Sequence, residues 1–246
     1  MKVQLQPPAP PKSSAPLVGT CTAVEKSYFR LTSAPLASEV RPPRVLRRAL
    51  AALSAQWASV AGPPEYTYVC DQFKAIRQDL VVQHVRTELT VAVYETHARI
   101  ALEEGDLNEF NQCLTQLVTL YKDGIGGANV NEFAAYRLLY CLSQRTWMQL
   151  QAELVDLDAG DRLGSLGDPR VQHALDAIKA YQACNFTRFC RLHRACPGLG
   201  AYLMDFVMVE VWKGAYTRML ATYKTLDVSF FQRQLAMRDS QLSRFF

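Results

Sequence analysis

Cys184, Cys190, His193 and Cys196 are the densest run of metal-ligating side chains in the sequence. Cys190 and His193 stand three apart, which places them on one face of a helix, and Cys196 follows at its end. A zinc ion asks for four ligands converging tetrahedrally, usually from close-spaced pairs. The first spacing here is too long and no second close pair of cysteines exists, so small buried thiols beside an exposed histidine is the reading, and no metal is assigned. Lys122–Asn129 (KDGIGGAN) is glycine-rich but lacks the Gly-Lys-Ser/Thr ending and the preceding strand of a phosphate loop. Tyr94-Glu95-Thr96-His97 carries a single histidine and cannot form a zinc-protease helix; His97 reads as a residue at a helix interface. No Ser-His-Asp or Cys-His arrangement stands out. Glu103-Glu104 borders a turn and reads as solvated charge. The sequence therefore offers no catalytic residue and no cofactor site, and its reading is non-enzymatic.

Basic side chains are the stronger candidates. Arg41, Arg44, Arg47 and Arg48 cluster without an acid among them at the start of a helix, where they could hold phosphates. Lys213, Arg218, Lys224, Arg233, Arg238 and Arg244 are spread over the C-terminal helices with Tyr216, Tyr223 and Phe230 interleaved, a pattern compatible with an RNA-facing end. Arg41, Arg44, Arg47, Arg48, Arg233 and Arg238 are accordingly the expected nucleic-acid contacts. The net charge of +4 conceals an asymmetry. Residues 1–60 carry eight basic side chains against two acids, residues 61–210 thirteen against nineteen, and residues 211–246 six against two. Basic ends around an acidic middle suit one surface for an anionic partner and another for protein contacts.

Positioning these residues falls to helices. From Glu65 to Tyr121 there is no proline and one glycine, Gly105, set before Asp106. Val91, Tyr94, Ala98, Ala101 and Leu102, then Leu107, Phe110, Leu114, Leu117 and Leu120, recur at spacings of three and four, one apolar stripe on each of two helices. Two such helices joined by a Gly-Asp turn form an antiparallel hairpin, the unit of α-solenoids, which buries its apolar face only by stacking. Around the turn, Gly105–Phe110 (GDLNEF) is echoed 79 residues later by Cys184–Phe189 (CNFTRF), which predicts a second hairpin over 171–195. Further helices are expected at 44–59, 65–82, from about Val130 with Asn129 or Asn131 as its cap, 145–155, 202–224 and, as one helix, 228–246. Asp156–Pro169 reads as a flexible loop. Cys21–Pro43 mixes aromatic anchors with prolines and reads as irregular chain wrapped over the first helices, whereas residues 1–20 read as a disordered tail. No strand alternation is sustained, so the fold class is all-α.

Composition sets the outer bounds. At 246 residues with 49% hydrophobic side chains, the chain can bury one sizeable core or one elongated stack. Its apolar runs are short and broken by Arg, Glu or Gln, so no membrane span is expected. The N-terminus lacks the apolar core of a signal peptide, and an odd count of seven cysteines reads as reduced thiols.

Glu25–Pro35 (EKSYFRLTSAP) with Val40–Leu46 (VRPPRVL), Phe73–Cys113 (FKAIRQDLVVQHVRTELTVAVYETHARIALEEGDLNEFNQC) and Asn129–Tyr140 (NVNEFAAYRLLY) together resemble the Sac-three/GANP/Thp-three family of PCI-type proteins. The resemblance runs closest to the Thp-three and leukocyte-receptor-cluster member eight branch. Arg77, Asp79 and Gln83 match the I-R-x-D-x-x-x-Q pattern shared more widely across that family. The resemblance covers about Cys21 to Phe246, taken as one helical-repeat domain. It implies a tetratricopeptide-like helical stack of PCI type capped by a winged helix, of which residues 228–246 would supply only the start. It further implies a non-enzymatic nuclear scaffold in mRNA processing, splicing, export and transcription elongation. The implied partners are a PCI-type protein of the Thp-one/Csn-twelve/PCID kind, a small acidic peptide of the Sem-one kind, and mRNA. A structural subunit of a proteasome-lid, signalosome or initiation-factor assembly shares the architecture and is the alternative.

Overall fold

The computed structural model describes residues 17–60, 62–160 and 162–245, and among them every regular element is helical. The fold is an all-α helical-repeat arrangement, as the periodicity implies. The chain divides into a unit ending at Val93 and a second beginning at Tyr94.

The first unit holds α1 (Pro43–Trp57) and α2 (Tyr66–Val82). Pro43 stands in the first turn of α1, where its fixed φ suits the helix and its missing N–H costs nothing. Val45, Leu46, Ala49 and Leu53 form the buried stripe of α1 and pack on α2, which buries Val69, Phe73, Ile76 and Leu80. Leu50 and Trp57, expected in the same stripe, are half-buried at its edge.

Residues 17–42 form a strap without regular structure except for one 3-10 turn at Ala37–Glu39. It doubles back on itself through Thr20 N–H to Ala37 O (2.7 Å) and Cys21 N–H to Val40 O (3.0 Å). The approach is so close that a Cβ on Gly19 would stand 2.3 Å from Val40 O. With no ladder of its own, the strap finds its partners on α2. Asp79 is 1% exposed and accepts from Lys26 Nζ (2.7 Å) and Arg41 Nε (2.6 Å). Gln83 accepts from Gly19 N–H (3.0 Å) and donates to the carbonyls of Arg41 and Asp79 (both 2.8 Å). Gln72 accepts from Lys26 N–H, and Gln78 donates to Phe29 O. The irregular wrap expected over 21–43 is therefore correct. Of the expected tail at 1–20, residues 1–16 lie outside the described residues, while Gly19 is buried against Gln83 and belongs to the strap.

α3 (Glu88–Glu103) contains the boundary, and the second unit continues through α4 (Leu107–Lys122), α5 (Val130–Gln144), α6 (Trp147–Asp158), α7 (Pro169–Gln182), α8 (Phe186–Arg194), α9 (Gly200–Thr222), α10 (Val228–Gln234) and α11 (Asp239–Phe245). The two expected hairpins share one turn design. Gly105 (φ 73°) and Cys184 (φ 52°) take the left-handed conformation. Asp106 then accepts from Glu109 N–H (2.9 Å), and Asn185 accepts from Arg188 N–H (3.1 Å), each capping the returning helix at the same offset. α5 is the central helix of this unit, packing against α6, α7 and α9. Ten of its fifteen residues are buried, among them Phe133, Leu138 and Leu142.

Three expectations need revision. Asn129 stands at the N-cap of α5, but its side chain makes no capping bond: Nδ2 donates to Glu95 (2.6 Å), and Asn131 Oδ1 accepts from Ser165 N–H (2.8 Å). The loop after α6 is anchored by Leu163, which is fully buried. The last helix is two short ones, because Ala236 (φ 53°) breaks the helical path between α10 and α11.

Replacing Asp79 with leucine leaves the buried Arg41 guanidinium without its carboxylate. Denaturant unfolding of Asp79→Leu should show a loss of about 3–5 kcal/mol, against less than about 0.5 kcal/mol for the exposed Arg44→Ala.

Candidate functional site

Of the four N-terminal arginines, three form a surface. Arg44, Arg47 and Arg48 are exposed on α1 at spacings of three and four, away from the buried stripe, and α1 contains no acid. Arg41 departs from expectation. It is fully buried, with Nε on Asp79 and an Nη donating to Val24 O (2.8 Å), so it serves the strap and is lost to the basic surface.

In the second unit Arg233 and Arg238 are exposed and come together, lining one open groove of about 790 Å³ with His193 and Arg194. Met208, Trp212, Leu235 and Met237 form its apolar wall. Arg194 is a residue that sequence reasoning missed. Its signal was the run Arg188, Arg191 and Arg194, repeated at a spacing of three along α8. Of the interleaved aromatics, Tyr216 meets Phe231 edge-on at 5.7 Å, whereas Tyr223 meets Phe230 at 6.2 Å and stays exposed.

The cysteine-histidine run does not converge. Cys190 is buried, Cys184 lies exposed in the turn, and His193 points Nε2 at Asp205 Oδ1 (2.7 Å). Burial pushes the thiols of Cys190 and Cys196 up to about 11 and about 12, away from the thiolate that attacks electrophiles. In Lys122–Asn129, Gly124 (φ 76°) and Gly126 (φ 79°) form a turn after α4.

Polar side chains of α3, α4 and α5 form a network that the sequence did not flag. Glu95 accepts from the Tyr121 hydroxyl (2.7 Å) and from Asn129. Arg99, one turn on, makes two 2.8 Å bonds to Glu132 and lies over the Phe133 ring at 5.2 Å. Burial, then the bond to Glu95, pushes the Tyr121 hydroxyl well above the usual tyrosine range. Burial alone would raise the Glu132 carboxyl, but the Arg99 hydrogen bonds and charge outweigh it and hold it below the usual range.

α9 has an outward face that none of these networks uses. Tyr202, Phe206, Val209 and Leu220 lie along it at 40%, 49%, 52% and 50% exposure. Isolated exposed apolar residues are ordinary; a row of large ones at helical spacing is a mark of an interaction surface.

Residues 20–246 match the SAC3/GANP family. The chain belongs to that family. Over 226 residues (92% of the chain) it is 42% identical to the Leukocyte receptor cluster member 8 homolog of Xenopus laevis and 40% identical to a THP3 homolog of Schizosaccharomyces pombe. Over 144 residues it is 42% identical to Protein THP3 of Saccharomyces cerevisiae. The chain spans 27%, 55% and 30% of the lengths of these relatives. Two residues of the family pattern acquire a physical role here: Asp79 and Gln83 are the acceptor and the bridging amide that fasten the strap to α2.

Glu132 also makes a pH prediction. Because its carboxyl is depressed in the folded chain, the stability it confers is full above the ordinary glutamate value of about 4.3 and is lost as pH falls through the lower folded value. Melting temperatures recorded from pH 6 down to about 3 should fall more steeply for the native chain than for Glu132→Gln. Parallel curves would remove Glu132 from the acid response.

Proposed function

We propose that this SAC3/GANP-family chain is a non-enzymatic scaffold subunit of a nuclear complex in mRNA processing, export and transcription elongation, pairing with a second PCI-type protein and binding RNA. The match over residues 20–246, with THP3-named relatives near 40% identity, is the observation that carries this reading. The geometry supports the division of labour. The exposed row Tyr202, Phe206 and Val209 on α9 suits a protein partner, since large side chains at the centre of a patch dominate interface energetics. The arginine face of α1 and the groove of Arg194, Arg233 and Arg238 suit phosphates. No helix among the described residues is long and apolar enough to cross a membrane.

Co-expression with a PCI-type partner and a small acidic peptide of the Sem-one kind, followed by size-exclusion chromatography, tests the protein side. The native chain should co-elute with both, and Phe206→Glu combined with Val209→Glu should elute apart while keeping its helical circular dichroism. Co-elution of that variant would displace the interface from α9. RNA binding is tested separately across a salt series. Arg44→Glu, Arg47→Glu and Arg48→Glu together should weaken binding and flatten the logarithmic salt slope by about 0.7–0.9 for each phosphate no longer neutralised. An unchanged slope would remove α1 from the RNA surface.

A further inference from the structure

His97 on α3 and Glu109 and Cys113 on α4 bring three different metal-ligating groups to one point inside the second unit. Their ligand atoms all lie within 4.8 Å of one another, and all three residues are buried. The hairpin creates this juxtaposition. Glu109 and Cys113 stand one turn apart on the same face of α4, and the Gly105–Asp106 turn brings His97 of the antiparallel α3 opposite them. We propose that His97, Glu109 and Cys113 are the three protein ligands of a zinc site within this hairpin, with a water completing the tetrahedron.

The chemistry of the set favours zinc. Imidazole nitrogen, carboxylate oxygen and thiolate sulfur are its three ordinary protein ligands, bound at roughly 2.0–2.3 Å, which places ligand atoms of a tetrahedral site about 3.5 Å apart. Contraction from within 4.8 Å to that spacing lies within the reach of small side-chain torsions. Charge favours it as well. One glutamate carboxylate and one cysteine thiolate, with neutral histidine, match the two positive charges of the ion, so the occupied site carries no net charge. Binding displaces one proton, from the Cys113 thiol, and involves no redox change. With its ligands inside the core, the site would take up metal as the hairpin folds, and the ion would hold α3 to α4.

The test uses the whole chain, purified without a histidine tag from zinc-containing medium and measured for bound metal. About one zinc per chain is expected, falling to under about a tenth in Cys113→Ala and unchanged in Cys190→Ala. Cobalt added to chelator-treated protein should give the absorption of a thiolate-bound tetrahedral ion, and the chelator should lower the melting temperature. This spectrum decides the matter in the native chain even if Cys113→Ala does not fold. Folded native protein without zinc, with the same melting temperature with and without chelator and no cobalt spectrum, would overturn the proposal and leave a polar cluster. Zinc retained in Cys113→Ala would overturn it too.

Discussion

No single helix of this chain can hide its own apolar stripe, and that constraint organises everything else. α4 presents one face of Phe and Leu, α3 buries apolar residues on more than one face, and such burial contributes on the order of 25 cal/mol per Å² only once a neighbour covers it. Folding each helix back on its successor is the shortest route to a neighbour. The turn must then reverse the chain within two residues, which demands one left-handed residue and one cap. Gly105 with Asp106 and Cys184 with Asn185 meet that demand with different residue types and the same geometry. Glycine takes a positive φ without strain, whereas cysteine incurs a cost there, so the second turn persists because the hairpin around it over-determines it.

Buried polar groups are then placed where irregular chain must be held. In the first unit the strap has neither helix nor sheet to satisfy it, and Asp79, Gln83, Gln72 and Gln78 of α2 and its cap supply the missing partners. A buried carboxylate alone would be a liability; with Lys26 and Arg41 on it, the carboxylate becomes the point at which the strap is registered on the helix. In the second unit Glu95 draws in Asn129 just before α5, and Arg99 engages Glu132 inside it. The Tyr136 hydroxyl likewise accepts from Leu199 N–H just before α9. These groups fix where the helices begin, which stripe burial alone leaves loose.

What remains outside is correspondingly specific. Among the described residues, three solvent-facing features stand out once the stripes, the strap contacts and the polar network are assigned. These are the arginine face of α1, the groove of Arg194, Arg233 and Arg238, and the outward row of α9. Burial raises the thiols of Cys190 and Cys196, while Cys184 stays exposed in its turn. The relatives of this SAC3/GANP-family chain extend well beyond the segment matched here.

Local order along the sequence determined the helices, the two hairpins and the all-α class, because a stripe at spacings of three and four and a turn pair are written in neighbouring residues. Asp106 and Asn185 could be placed in the two turns for the same reason. The family pattern at Arg77, Asp79 and Gln83 was legible as a pattern, but its meaning was not, since the partners of Asp79 lie 38 and 53 residues away. Distance in sequence also explains the failures. Arg41 looks identical to Arg44, Arg47 and Arg48 until packing buries it on Asp79. Asn129 looks like a cap until Glu95 takes its amide, and the break at Ala236 follows no local rule. His97, Glu109 and Cys113 were each visible, yet only the closed hairpin brings their ligand atoms together. Periodicity is local and survives in one dimension, whereas the choice between a solvated charge, a buried ion pair and a ligand is made by neighbours that only the tertiary fold supplies.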